Sequence, residues 1–267
     1  MRCCRWSMTS RLADHSSLGR AVLRISDRRK TMADKYDSMT ELYADPANIE
    51  GTTYGKRWRR HEWIQIVEGQ ATDNREGQKI VLAVHGGGIE EGTSEIALAV
   101  AGYHPATFAQ ATDCFGLHDL WIFEGLLIDG NSKLHVTSTH YNDPIALKLV
   151  QISKRCLSLH GLGDAAANGK IQIGGLDTEL RSIVLEELTG AGIPAAISND
   201  QDTNASSLEN ICNKTTTRAG VQLEMGKTYR ESLFAPGCDT RELRKNNTNA
   251  NFCKLVTALR KAMSRVN

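Results

Sequence analysis

Lys79-Ile80-Val81-Leu82-Ala83-Val84-His85-Gly86-Gly87-Gly88-Ile89-Glu90 is the stretch whose reading decides the fold. An apolar run stopped by glycines reads as a buried strand that ends at the histidine. Downstream, Thr93 or Ser94 can cap a helix that continues to Tyr103. Asp119–Glu124 reads as a second strand, Leu134–Ser138 as a third, and Arg155–Gly161 as another stopped by glycine. Gly192–Ile197 and Ala219–Glu224 read as further strands. Pro144 suits the first turn of a helix carrying Ile145, Leu147, Leu149 and Val150. Leu180, Ile183, Val184 and Leu188 have helical spacing, as do Phe252, Leu255, Val256, Leu259 and Met263 near the end. Strands alternating with helices imply one α/β domain, three-layered, around a mixed and largely parallel sheet, over residues 32–267.

Composition sets the outer bounds. The chain has 267 residues, 40% hydrophobic and 24% charged, with a net charge of +1. Those values fit a soluble globular protein and give no reason to expect nucleic acid or a membrane surface as partner. No apolar run approaches the length of a membrane span. The charge is uneven: residues 1–31 hold eight of the 32 Lys/Arg and only two of the 31 Asp/Glu. That Arg- and Ser-rich stretch lacks the apolar core of a secretory signal and is expected to be a disordered extension. The seven cysteines are odd in number and form no C-x-x-C pair. Reduced, mostly buried thiols and a cytoplasmic setting are the expectation.

The chemistry-bearing residues lie where strands end, and ligands of α/β sheets bind beyond the carboxyl ends of strands. His85 and Glu90 flank the glycine turn. Four readings of this motif stand side by side. It matches a lipase-type oxyanion loop, but no G-x-S-x-G follows. It matches a phosphate-cradling loop, but neither standard glycine signature is present. It also suits half of a zinc site, or a plain glycine turn with a solvated Glu. His160 closes another strand just before a glycine, so two histidines can face one crevice. His₂Glu is one standard catalytic zinc set, and His85, Glu90 and His160 would complete it. Glu224 closes a late strand; it either enters a cleft as a base or marks the strand leaving the core. His140 is a rival third ligand, and His135 lies five residues before it. Lys56-Arg57-Trp58-Arg59-Arg60-His61 reads as a solvated face or as an attractor of anionic polymer. Asn210, Asn213, Lys214 and Arg218 are candidates to hold substrate carboxylates, Arg218 foremost because a guanidinium grips a carboxylate bidentately.

Taken together, Val84–Glu95, Phe123–Gly125, Leu134–Tyr141, Leu157–Gly161, Gly174–Asp177 and Asn210–Glu224 resemble the phage-type poly-γ-glutamate hydrolases, a zinc family with a carboxypeptidase-like fold. Met32-Ala33-Asp34-Lys35-Tyr36 resembles that family's own start. The resemblance implies one Zn²⁺ per chain on His85, Glu90 and His160. It implies Glu224 as general base and cleavage of γ-linked glutamyl amides in an anionic polymer. His135, His140, Asn213 and Arg218 then fall to substrate binding. Two departures stand out: the first ligands are spaced H-x-x-x-x-E rather than H-x-x-E, and Lys214 follows Asn213 where an arginine is usual. Two rival functions are weighed beside it: a zinc amidohydrolase of small N-acylated amino acids or cell-wall peptides, and a non-catalytic relative that binds anionic polymer.

Overall fold

The computed structural model describes residues 34–61, 64–67, 70–73 and 78–266. The expected extension over residues 1–31 lies outside them. The compact unit runs from Asp34 to Asn267. It begins with α1 (Met39–Ala44), followed by β1 (Tyr54–Arg59) and a two-stranded hairpin of β2 (Ile64–Val67) and β3 (Gln70–Asp73). Next come β4 (Lys79–Gly87), α2 (Thr93–Ala101), β5 (Asp119–Gly125), α3 (Pro144–Gln151) and β6 (Arg155–Leu162). After α4 (Asp164–Ala167) come β7 (Ile171–Gly174), α5 (Thr178–Gly190), β8 (Ala195–Ile197) and β9 (Val221–Gly226). The short α6 (Lys227–Glu231) and α7 (Arg241–Arg244) precede the long α8 (Ala250–Ser264).

Seven strands form one mixed sheet in the order β1-β5-β4-β6-β9-β7-β8. Its centre, β5-β4-β6-β9, is parallel; β1 joins β5, and β7 joins β9, antiparallel. This is the α/β architecture the alternating pattern predicts. The apolar run of β4 is continuous because the strand is covered on both faces. Val81 and Ala83 belong to a core with α2, α5 and α8, whereas Ile80, Leu82 and Val84 belong to a second with α1 and α3. All five are fully buried. Each of the larger ones contributes about 1.5–3 kcal/mol through burial. Phe252, Leu255, Val256, Leu259 and Met263 of α8 all face the first core, as their spacing predicts.

Two expectations are corrected. Leu134–Ser138 is not a strand: a 3₁₀ turn covers Asn131–Leu134 and His135 leaves it extended. Its polar groups serve other partners, since Val136 C=O accepts from His85 and Thr137 N–H donates to Asp34. Helix α2 is capped by Gly92, in the left-handed region at φ 93°, and not by Thr93 or Ser94. Those hydroxyls lie inside the first turn and brace the glycine loop, Ser94 Oγ accepting from Gly87 N–H at 2.8 Å. The basic run Lys56–Arg59 is part of an edge strand, where charge discourages strand-to-strand aggregation. Arg57 there makes a two-pronged ion pair with Glu124. No helix among the described residues is long and apolar enough to cross a membrane.

Candidate metal centre

The site lies at the carboxyl ends of β4, β6 and β9. A slip in the ladder aims His85 into it. Ala83 pairs with Ile122 and Gly86 with Glu124, so three residues of β4 advance against two of β5. Strict alternation would send His85 to the face of Val81 and Ala83. The extra residue turns it instead toward His160, which shares its face with Cys156 and Ser158. Gly86 is required at the next position, because a Cβ there would lie 2.3 Å from Ser94 Oγ. The tight turn then returns Glu90 beneath His85, with Glu90 N–H donating to His85 C=O at 2.8 Å.

Three imidazoles converge on the Glu90 carboxylate. His85 Nδ1 is 3.1 Å from Oε1, His135 Nε2 is 3.9 Å from Oε1, and His160 Nδ1 is 3.7 Å from Oε2. His85 Nδ1 and His160 Nδ1 are 3.2 Å apart. The far nitrogen of each ring is held. His85 Nε2 donates to Val136 C=O at 2.8 Å, His135 Nδ1 donates to Asp34 at 2.6 Å, and His160 Nε2 meets Ser158 Oγ at 2.8 Å. A carbonyl and a carboxylate only accept, so in the neutral rings the lone pairs of His85 Nδ1 and His135 Nε2 face Glu90. Such outer partners orient metal-binding histidines. Donors on a tetrahedral zinc, bound at roughly 2.0–2.2 Å, lie about 3.3 Å from one another. The observed separations bracket that value. His85, Glu90 and His135 offer donor atoms that all lie within 4.8 Å of one another. The residues therefore fit a cation of zinc's preferences.

The protonation tendencies suit donation at Glu90, His135 and His160, whereas His85 is biased toward keeping a proton. Burial pulls the His85 pKa down, but the charge and hydrogen bond of Glu90 more than offset it, and the net direction is upward. Glu90, despite burial, is lowered to about 2, chiefly by His85. His160 falls to about 3 through burial. His135 is lowered by the charge of His85 and by burial. An ionised carboxylate beside mostly neutral imidazoles is the donor state a metal needs.

Glu224 neighbours His160 in register on β9 and is 7% exposed. Burial and the nearby Glu90 charge hold its carboxyl well above the usual range. Its Oε1 accepts from Gln222 Nε2 at 2.8 Å, and Gln222 accepts from Asn210 at 2.9 Å. This chain of amides fixes the carboxyl while Oε2 makes no hydrogen bond within the described residues.

The remaining expected residues do not join the cluster. His140 is exposed on the turn that follows Thr137. Asn213 is saturated: Oδ1 accepts from Leu176 and Gly220 N–H, and Nδ2 donates to Ala205 and Ser207 C=O. Those four bonds brace the loop. Arg218 is exposed on a turn ahead of β9, with φ 56°, at the opposite end of the strand from Glu224. The guanidinium that does approach the site belongs to Arg230. It lies against Gly161, where a Cβ would come within 2.6 Å of Cζ, and donates to Met225 and Glu91 C=O. Its charge acts on both Glu90 and Glu224. No sequence spacing points to Arg230. The glycine after His160 is its one trace.

Residues 65–258 match the family model for poly-gamma-glutamate hydrolase. The chain is 39% identical over 156 residues to the UPF0714 protein YndL of Bacillus subtilis (strain 168), 58% of this chain and 56% of YndL. It is 35% identical over 156 residues to the SPbeta prophage-derived UPF0714 protein YoqZ of the same organism, 58% of this chain and 51% of YoqZ. The matches thus span about half the length of these curated relatives. Among solved structures, a bacteriophage poly-gamma-glutamate hydrolase superposes with a TM-score of 0.70 at 29% identity, covering 87% of this chain and 97% of that one. Zinc-free YndL superposes with a TM-score of 0.69 at 31% identity, covering 86% and 96%.

Proposed function

The chain belongs to the poly-gamma-glutamate hydrolase family, and from that premise we propose that it is a zinc-dependent hydrolase cleaving γ-glutamyl amide bonds. The observation that carries the metal is the convergence of imidazole nitrogens on one largely enclosed carboxylate, each ring fixed from behind. That YndL has a zinc-free form supports the choice of ion. His85, Glu90 and His160 would hold it. Zinc supplies Lewis acidity, polarising a carbonyl and making water a nucleophile near neutral pH.

The chain's own groups do the rest. Glu224, steadied through Oε1 by Gln222 and favoured in its ionised form once a dication offsets the burial and the Glu90 charge that raise it, presents Oε2 to take the proton of the attacking water and return it to the leaving nitrogen. Strands β6 and β9 hold His160 and Glu224 side by side, so base and ligand keep a fixed separation. Arg230 adds positive charge beneath two acids, which favours an anionic substrate approaching a site that already holds Glu90 and Glu224.

The test joins metal analysis of the purified chain to the length of poly-γ-glutamate before and after a chelator. About one zinc per chain with chelator-sensitive shortening is expected. Zinc without shortening moves the substrate to a smaller amide. Neither zinc nor cleavage returns the chain to the reading of a polymer-binding relative.

A further inference from the structure

The basic run of β1 borders a cavity that the metal centre does not use. The cavity measures about 330 Å³, within the range of small-ligand pockets. Glu124 on its wall pairs in register with Gly86, so one turn of chain separates the cavity from His85 and Glu90. Lys56 and Arg57 of β1 line it, as do Arg241 of α7 and Lys245 just after that helix. The charge of Glu124 is spent on Arg57, which grips it with two prongs. Arg241 is more loosely held. It stands 3.5 Å from Glu124 and 3.4 Å from Glu242, beyond the length of a close ionic hydrogen bond. Lys245 pairs with Glu242 and Lys56 with Glu50, both exposed acids. Exposed pairs of this kind are weak, so an incoming carboxylate can take the acid's place.

Two further features suit an occupant that is anionic and partly apolar. Glu95 on the wall is 2% exposed, and its Oε2 makes no hydrogen bond among the described residues. Burial raises its pKa, which favours the uncharged carboxyl, a donor to an anion rather than a repelling charge. Phe108 also lines the cavity, half exposed and at φ 57°, a conformation costly for a bulky side chain and common where ligands are clamped. Its ring faces the Arg57 guanidinium at 5.5 Å. A γ-linked glutamate chain carries a carboxylate and two methylenes on every unit, charge for the cations and an apolar spine for Phe108. Outside residues 1–31, which hold eight of the 32 Lys/Arg and two of the 31 Asp/Glu, acids outnumber bases. A polyanion is therefore repelled by the body as a whole and needs a local basic place. We propose that this cavity is a second binding site for poly-γ-glutamate, where Arg241 and Lys245 hold carboxylates of a stretch away from the bond being cut, a role that rests on the polymer being the substrate.

The experiment measures Kd for fluorescently labelled poly-γ-glutamate on the chelator-treated full chain, and kcat and KM of the zinc-loaded chain on the same polymer. Parent, the double variant Arg241→Gln with Lys245→Gln, and Phe108→Gly are compared. The double variant is expected to weaken binding and raise KM about tenfold, with kcat within about twofold of the parent. Its deficit should vanish at ~1 M salt, where screening shortens to ~3 Å. Phe108→Gly accepts the positive φ freely, so its melting temperature should hold while polymer binding drops a few-fold. Unchanged Kd and KM in both variants would overturn the proposal. So would a fall in kcat at unchanged KM, the mark of a disturbed glycine loop next door. A parent that binds the polymer through these residues but cuts nothing keeps the site and removes the hydrolase reading. A parent that neither binds nor cuts it removes the substrate reading and this site together.

Discussion

The sheet carries a histidine–carboxylate cluster at each end, and they differ in what the rings have left over. At the amino end, His61 meets Asp119 through Nδ1 at 3.1 Å and Tyr103 OH through Nε2, so both nitrogens are engaged. His118 beside it is lowered to about 3 by burial and by the charges of Arg260 and Lys79, surroundings that repel a further cation. At the carboxyl end, each ring engages one nitrogen with an outer partner and turns the other toward Glu90. Two histidines stand at one end and three at the other, but the count is not the difference that matters. The unused lone pairs directed at a shared acid are.

That contrast can be broken most forcefully at His85. His85→Ala is expected to abolish stoichiometric zinc and reduce cleavage of poly-γ-glutamate to background, with the far-UV circular dichroism retained. Full activity in that variant would mean the carboxyl-end cluster is not the reacting site. Next in size is Glu224→Gln, which keeps zinc and lowers kcat by about 10²–10⁴-fold, the usual contribution of a general base. A kcat within a few-fold of the parent would remove Glu224 from that role.

Acidity sharpens the comparison more gently. Glu90 raises the pKa of His85, so in the metal-free protein this ring keeps its proton to a higher pH than a free imidazole. Zinc must displace that proton, so affinity rises with pH, by roughly tenfold per unit below the raised value, and levels off above it. Calorimetry in buffers of different ionisation enthalpy would count the released proton; a pH-independent affinity contradicts the assignment. The smallest effect belongs to the amino end. His61→Ala should leave zinc content and kcat unchanged while costing about 1–3 kcal/mol of stability, because Asp119 loses a partner in a buried setting. Urea unfolding measures it, and a drop in zinc content instead would erase the distinction between the clusters.

Much of this was legible from residue order. The strands β4, β5, β6 and β9 appeared as apolar runs stopped by glycines or ending at an acid, and His85, His160 and Glu224 were picked out by position at their ends. What stayed hidden depends on register and distance. The slip between Ala83 and Gly86 leaves no mark in the pattern, yet it decides which way His85 points. Leu134–Ser138 alternates like a strand, and only its use by His85 and Asp34 shows why it is not one. Arg218 precedes β9, but a strand's two ends lie far apart, and Arg230 arrives from beyond the strand instead.

The span of chain that the cluster closes has a bearing on how the protein assembles. His85 and Glu90 are five residues apart, His160 lies 75 beyond His85, and the Asp34–His135 contact bridges 101. The near pair can meet early, whereas the longer closures carry a larger entropic cost and wait for the sheet to form. A nascent chain therefore has no complete donor set until residue 160 has emerged and paired. An ion that binds only the finished arrangement stabilises it by mass action. Metal uptake during refolding would then register the moment at which distant parts of the polypeptide have come together.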